Sequence, residues 1–239
     1  MPLMRLDKLL ADMGIASRRE LREIIKAGRV AVDGVPAARP EQKLEPAKCA
    51  VTLDGEPLHY ARFHYYMMDK PVGVLTATED RRQKTVLDLL SPELRRMGLF
   101  PVGRLDKDTS GLLLLTDDGE FAHRVISPKS GVEKLYYARV EGTPSKEDVE
   151  AFHQGLVLKD GTVCLPAKLE ITGDGECLVT VQEGKYHQVR RMLASRGTPV
   201  LELRRLRIGA LELDRELKPG DYKELGEGEL QWLRDSRLM

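Results

Sequence analysis

The chain has 239 residues, 41% of them hydrophobic, with 38 basic and 38 acidic side chains. That is enough for one large or two smaller domains with a buried core, and a net charge of zero argues neither for nor against a polyanionic partner. No apolar run approaches the roughly 18 residues of a membrane span, and Met1–Arg5 leads straight into a charged helix pattern rather than a signal peptide, so a soluble cytoplasmic protein with no membrane partner is expected. Cys49, Cys164 and Cys177 lie far apart with no Cys-x-x-Cys, and the five histidines show no ligand spacing, so neither a disulfide framework nor a metal site is implied.

Charge is unevenly spread along this balanced chain. Arg5, Lys8, Arg18, Arg19, Arg22, Lys26 and Arg29 outnumber the acids of the first 29 residues, and the segment Lys185–Arg207 carries seven cations against the single acid Glu202. Two local excesses of this kind suit phosphate contacts over a limited footprint, although a solvated basic face would look the same.

In chain order, Leu6, Leu9, Leu10 and Met13 at helical spacing predict a helix over about 5–13 with Asp7 and Lys8 on its solvated face. Ser17 and Glu20 form a capping box opening a second helix that Gly28 ends. Asp33-Gly34 and Asp54-Gly55 sit between short β-branched runs, the signal of two-residue hairpins. These residues, with Arg-Leu-Asp-Lys-Leu-Leu from Arg5, Gly14, Ser17-Arg18-Arg19, Ile25, Gly28, Val30 and Val32, resemble the small RNA-binding domain of the ribosomal-protein-S4 type. The resemblance implies a domain over residues 1–59 that recognises structured RNA.

Beyond it, a strand is predicted at 65–68, a turn at Lys70-Pro71-Val72-Gly73, and a short helix over 85–90 stopped by Ser91-Pro92. Gly103-Arg104-Leu105-Asp106-Lys107-Asp108-Thr109-Ser110-Gly111 reads as a fixed loop before Leu112–Thr116, an apolar run expected to be a strand covered on both faces. Either Asp106 or Asp108 could be an acid held at the floor of a cleft. Arg-Leu-Asp-Lys occurs at both Arg5 and Arg104, but only the second copy lacks a helical period and is bracketed by glycines.

A helix is predicted over 119–126, a strand over 133–140 with Tyr136 and Tyr137 on opposite faces, a surface helix ended by Gly155, and strands over 163–172 and 177–182. A helix opening within Glu183–Met192 and closed by Gly197, strands at 200–203 and 206–213, and a short surface helix at 229–234 carrying Trp232 complete the pattern. The expected fold class is α+β, with the second domain, residues 60–239, built on a mixed, mostly antiparallel sheet.

Three side chains stand out chemically. A loop-held Asp106 needs a cation to stay ionised in a partly dry cleft, Arg190 could supply it, and Tyr136 could stack on a nucleobase, which contributes roughly 1–3 kcal/mol. Gly103–Thr116, Lys134-x-Tyr136, Gly184–Met192 and Lys70-Pro71-x-Gly73 together resemble the RNA pseudouridine synthases, in the RsuA-like branch, so that with the N-terminal domain the resemblance spans nearly the whole chain. It implies Asp106 as a nucleophile on a flipped uridine, Arg190 as its ion-pair partner, and Tyr136 stacking on the base or assisting proton removal. Arg104 would fill the RNA stack, with Lys107 and Asp108 as loop supports and Lys185, His187, Gln188 and Arg191 as further RNA contacts. The reaction is an isomerisation, so no cofactor is implied. Asp117-Asp118-Gly119, His123-Arg124 and Ser127-Pro128 are most like the 16S rRNA enzymes, making ribosomal RNA or an assembling subunit the expected partner of a monomer. The same chemistry on 23S rRNA, or a non-catalytic RNA-binding protein of ribosome assembly, are the alternatives.

Overall fold

The computed structural model describes residues 3–236, which divide into two compact units, one of residues 3–64 with 90–99 and the other of 65–89 with 100–236. Among the described residues no helix is long and apolar enough to cross a membrane.

The first unit packs helices Leu6–Asp12 and Arg18–Lys26 beside a four-stranded sheet of Val35–Pro36, Val30–Val32, Val51–Leu53 and Glu56–Leu58. The Ser17–Glu20 capping box is formed in both directions. Both hairpins turn where expected: Asp33 and Gly34 have φ of 51° and 81°, Asp54 and Gly55 of 52° and 88°, the paired positive values that a two-residue turn matched to strand twist requires. Leu6, Leu9, Leu10, Leu21, Ile25 and Val30 form its core. Asp7 departs from expectation, being buried rather than solvated, because the Arg5 guanidinium folds over it with bonds of 2.9 and 2.7 Å. That pairing is the largest influence holding the Asp7 carboxyl below the usual carboxylate range, against the opposing effect of burial.

This unit also takes in a second chain segment that a single boundary at residue 59 does not anticipate. Ser91-Pro92 opens a helix, Pro92–Arg96, instead of only ending one: Ser91 Oγ accepts from Leu94 N, and proline fits the first helical turn because its missing N–H has no helical role there. Arg96 then donates through Nε and Nη2 to the carbonyl of Gly14, at 3.2 and 3.0 Å.

The second unit is organised on a nine-stranded mixed sheet. Along its main path the order is Lys168–Gly173, Glu176–Val181, Lys134–Val140, Val200–Ile208, Thr109–Thr116, Tyr65–Lys70 and Tyr222–Glu224. Every pairing is antiparallel except that of Thr109–Thr116 with Val200–Ile208. Thr109–Thr116 is buried over its whole length, as its leucine run predicts. Strand character begins only at Lys168 in the segment expected from 163, and Val200–Ile208 is one strand rather than two. The last helix, Glu227–Asp235, docks on the unit, with Leu233 buried and the Trp232 indole against Gly209.

The parallel seam is the tightest backbone crossing near the site. Gly111 has φ of 101° and faces Arg205 across the seam; a Cβ there would lie 2.2 Å from the Arg205 carbonyl oxygen. Gly111→Ala is therefore expected to reduce unfolding free energy by about 3 kcal/mol, combining overpacking with backbone strain. A urea midpoint equal to that of the wild type would show that the seam tolerates a side chain.

Candidate active site

The Gly103–Gly111 loop is fastened from the preceding chain at several points. Thr76 Oγ1 donates to the Leu105 carbonyl at 2.7 Å and accepts from Leu105 N, while Gly73 N donates to the Lys107 carbonyl at 2.7 Å. The strongest fastening is Lys70, a fully buried lysine at the end of strand Tyr65–Lys70. Its ammonium donates to the carbonyls of Pro71, Asp106 and Thr109 at 3.0, 3.2 and 2.9 Å. Burial pushes its pKa down to about 8, the nearby Asp108 and Asp106 opposing the fall. By composition this segment is only a turn, and the one signal of a further role is the Asp69-Lys70 pair that closes the Tyr-Tyr-Met-Met run before proline.

The loop delivers Asp106 to a pocket of about 430 Å³, counted to its open mouth, which Tyr136, Glu183, His187, Val189 and Leu203 also line. The side chain that approaches its carboxylate is His187, whose Nε2 lies 3.4 Å from Asp106 Oδ1. His187 starts the helix Gln188–Ser195 in a left-handed conformation, φ 47°, rare for a residue with a side chain. No other side chain of the described residues bonds the Asp106 carboxylate.

Arg190 does not pair with Asp106 as expected. Its Nη2 lies 3.1 Å from Asp108 Oδ2 and donates to the Asp108 carbonyl at 3.0 Å. Two carboxylates two residues apart in one turn point in different directions, and only the folded loop decides which one meets the helix. Arg190 thus braces the loop from Asp108, which becomes an ion-pair member rather than a plain loop support.

The basic excess of 185–207 is also redistributed by folding. Lys185 pairs with Glu183, Arg191 with Asp160, Arg196 with Asp148, Arg204 with Asp69 and Arg207 with Glu133, all carboxylates distant in sequence except Glu183. Gln188 is buried, donating to Glu183 at 2.7 Å and accepting from Lys185 N, so it shapes the turn instead of facing outward. Arg104, in contrast, is exposed at the pocket and makes no ion pair or hydrogen bond among the described residues. In the N-terminal unit, Arg18, Arg19 and Arg22 are likewise exposed and unpaired, whereas Lys8, Lys26 and Arg29 meet Asp12, Glu23 and Asp54.

Tyr136 reaches the pocket from the centre of the sheet, and its strand partner Arg205 lies behind it. Arg205 is only 4% exposed; its Nε donates to the Leu112 carbonyl at 2.8 Å and its Nη1 lies 3.4 Å from the Tyr136 hydroxyl. It is the one cation of the 185–207 segment without a carboxylate partner among the described residues, and the sequence does not single it out, because a strand arginine beside two others carries no distinguishing mark.

This geometry, a carboxylate carried on a clamped Gly-Arg-Leu-Asp loop and facing a strand tyrosine, coincides with a match to the RNA pseudouridylate synthase family over residues 64–195. The chain belongs to that family. Residues 4–47 match the S4 domain. This pseudouridine synthase is 48% identical to an uncharacterised RNA pseudouridine synthase of Bacillus subtilis, over 97% of this chain and 99% of the relative. It is 42% and 40% identical to the ribosomal small subunit pseudouridine synthases A of Vibrio cholerae and Escherichia coli strain K12, each over 95% of this chain and 98% of the relative. A crystal structure of a pseudouridylate synthase shares the fold with a TM-score of 0.67 at 33% identity, covering 95% of this chain and 98% of that one. The expected α+β fold, the S4-type N-terminal domain and the isomerase class therefore all hold.

One further cation in this synthase costs stability. Lys134, 7% exposed on the Tyr136 strand, has no partner for its ammonium among the described residues, and burial, with the Arg205 charge adding to it, lowers its pKa to about 8 from 10.5. Below pH 8 the amine is charged in both folded and unfolded chains and the penalty is complete; between 8 and 10.5 only the unfolded chain keeps the proton, so stability rises with pH. Lys134→Met should stabilise the protein by up to about 3 kcal/mol at pH 7, and the gain should vanish near pH 10.5. Urea unfolding at both pH values checks this; a gain independent of pH would contradict it.

Proposed function

We propose that this synthase isomerises a uridine of small-subunit 16S rRNA, with Asp106 as the attacking carboxylate and the N-terminal unit as an RNA-binding module, acting as a cytoplasmic monomer. The observation that carries the assignment is the contrast between the two carboxylates of the pocket. Glu183 is buried and committed, accepting from Lys185, Leu165 N and Gln188. Asp106 is partly open, and among the described residues only His187 approaches its carboxylate oxygens. A nucleophile must have a lone pair free to reach substrate, and Asp106 has one. The two small-subunit relatives, similar over nearly their full length, support 16S rRNA as the substrate.

The uridine leaves the RNA stack to enter the pocket, and the exposed guanidinium of Arg104 takes its place. Asp106 attacks either the uracil ring or the ribose anomeric carbon, or the sugar passes through a glycal. In each route the N1–C1′ bond breaks, the uracil turns, a C5–C1′ bond forms, the C5 proton leaves and N1 takes one up, so the atoms balance without an added reagent. Tyr136, held from behind by Arg205, stacks on the base or assists that proton removal. Arg190 acts on Asp106 at one remove, by fixing the loop through Asp108.

Incubation with 16S and 23S rRNA transcripts, followed by mapping of carbodiimide-dependent reverse-transcription stops, is expected to give a new stop on the 16S transcript. A stop on 23S alone would move the target, and none on either would defeat the reading. Asp106→Asn should abolish the stop while RNA affinity stays within about threefold, because backbone contacts supply most binding. A variant with wild-type turnover would remove Asp106 from the mechanism.

The unpaired Arg18, Arg19 and Arg22 offer phosphate contacts on one helix. Replacing all three by alanine should weaken binding of the 16S transcript and make the log K against log salt slope shallower by about 2 to 3, since each neutralised phosphate contributes roughly 0.7–0.9 to it. An unchanged slope would mark that face as merely solvated.

A further inference from the structure

Tyr186 is the one large aromatic side chain beside the pocket that the reaction as described leaves unused. It is 76% exposed, the highest value among the exposed large hydrophobic residues described. One face of its ring lies on His187, with centroids 4.0 Å apart and planes inclined by 17°. His187 in turn lines the pocket and approaches Asp106. The opposite face of Tyr186 has no aromatic neighbour among the described residues.

The turn that carries this pair of rings is unusually well held for a surface feature. Glu183 accepts from Lys185 and Gln188, Gln188 accepts from Lys185 N, and Arg191 Nη1 donates to the Tyr186 carbonyl at 3.3 Å. Lys185 also donates to the Val163 carbonyl at 2.7 Å. His187 adopts its left-handed backbone within this frame, and strain of that kind persists only where the surroundings over-determine it. The outcome is a flat, prepositioned π surface standing in solvent next to the attacking carboxylate. Burial does not explain it, since the ring covers no core.

We propose that the Tyr186–His187 stack is a base-stacking subsite, taking the nucleobase of a nucleotide next to the target uridine. Flipping one nucleotide leaves its neighbour with an unpaired face, and an aromatic ring at the pocket rim replaces the lost stacking partner with little sequence preference, because every base has a π face. Arg104 addresses the vacancy left in the RNA; Tyr186 addresses the flanking base. The subsite rests on the proposed substrate class, RNA entering the Asp106 pocket, and adds a binding role that the chemistry at Asp106 does not require.

The test compares the wild type with Tyr186→Phe, Tyr186→Trp and Tyr186→Leu, measuring pseudouridine formation on the 16S rRNA transcript and, separately, affinity for that transcript by filter binding. Tyr186→Leu should raise KM and Kd about tenfold with kcat within about twofold, whereas Phe and Trp should keep both constants within about threefold of the wild type. Thermal midpoints verify that each variant is folded. Leu behaving like the wild type in both assays, or Phe losing as much as Leu, would overturn the subsite. If the wild type forms no pseudouridine on this transcript, filter binding still decides: a tenfold loss confined to Leu keeps the subsite and sinks only the substrate reading, while equal affinities sink both.

Discussion

The ammonium of Lys70 is the interaction from which the site hangs. A lysine taken wholly out of water is costly unless its protons are used, and here they are aimed at the carbonyls of Pro71, Asp106 and Thr109. One side chain thereby ties the end of one strand to the loop before its neighbour. The carboxylate of Asp106 is left uncommitted because its backbone is committed. Arg190 serves the same end from the other side, gripping Asp108 by both its carboxylate and its carbonyl. Reactivity and rigidity are divided between neighbouring residues of one turn.

The same division runs through the charges. Most cations of the 185–207 segment meet carboxylates from other parts of the chain, so the local excess disappears in three dimensions, whereas Arg104 and the Arg18–Arg22 face stay open. Most cations of this segment therefore serve to hold elements in place.

Local rules make much of this legible in the sequence. The capping box at Ser17, the Asp-Gly hairpins, the wholly buried leucine strand and the loop carrying Asp106 are each set by neighbours within a few residues, and they fold as their chemistry requires. What escapes a sequence reading depends on the folded arrangement. Nothing within a few residues of Arg190 distinguishes Asp106 from Asp108, and the helical period that puts Asp7 on a solvated face says nothing of Arg5 folding over it. Lys70 and Arg205 are hidden for a similar reason: a cation on a strand looks solvent-facing until the sheet shows which carbonyls surround it. Pro92 is ambiguous because proline ends one helix and begins another by the same missing N–H.

The pairing of Tyr222–Glu224 with Tyr65–Lys70 joins the last strand of the catalytic unit to the first. The strand that ends in Lys70 thus acquires its outer neighbour only after more than 150 intervening residues have been made. The helices and hairpins of the N-terminal unit are short-range by comparison and can form early. On a translating ribosome the RNA-binding module would be assembled while the catalytic sheet still lacked an edge, so the capacity to hold RNA would precede the capacity to alter it.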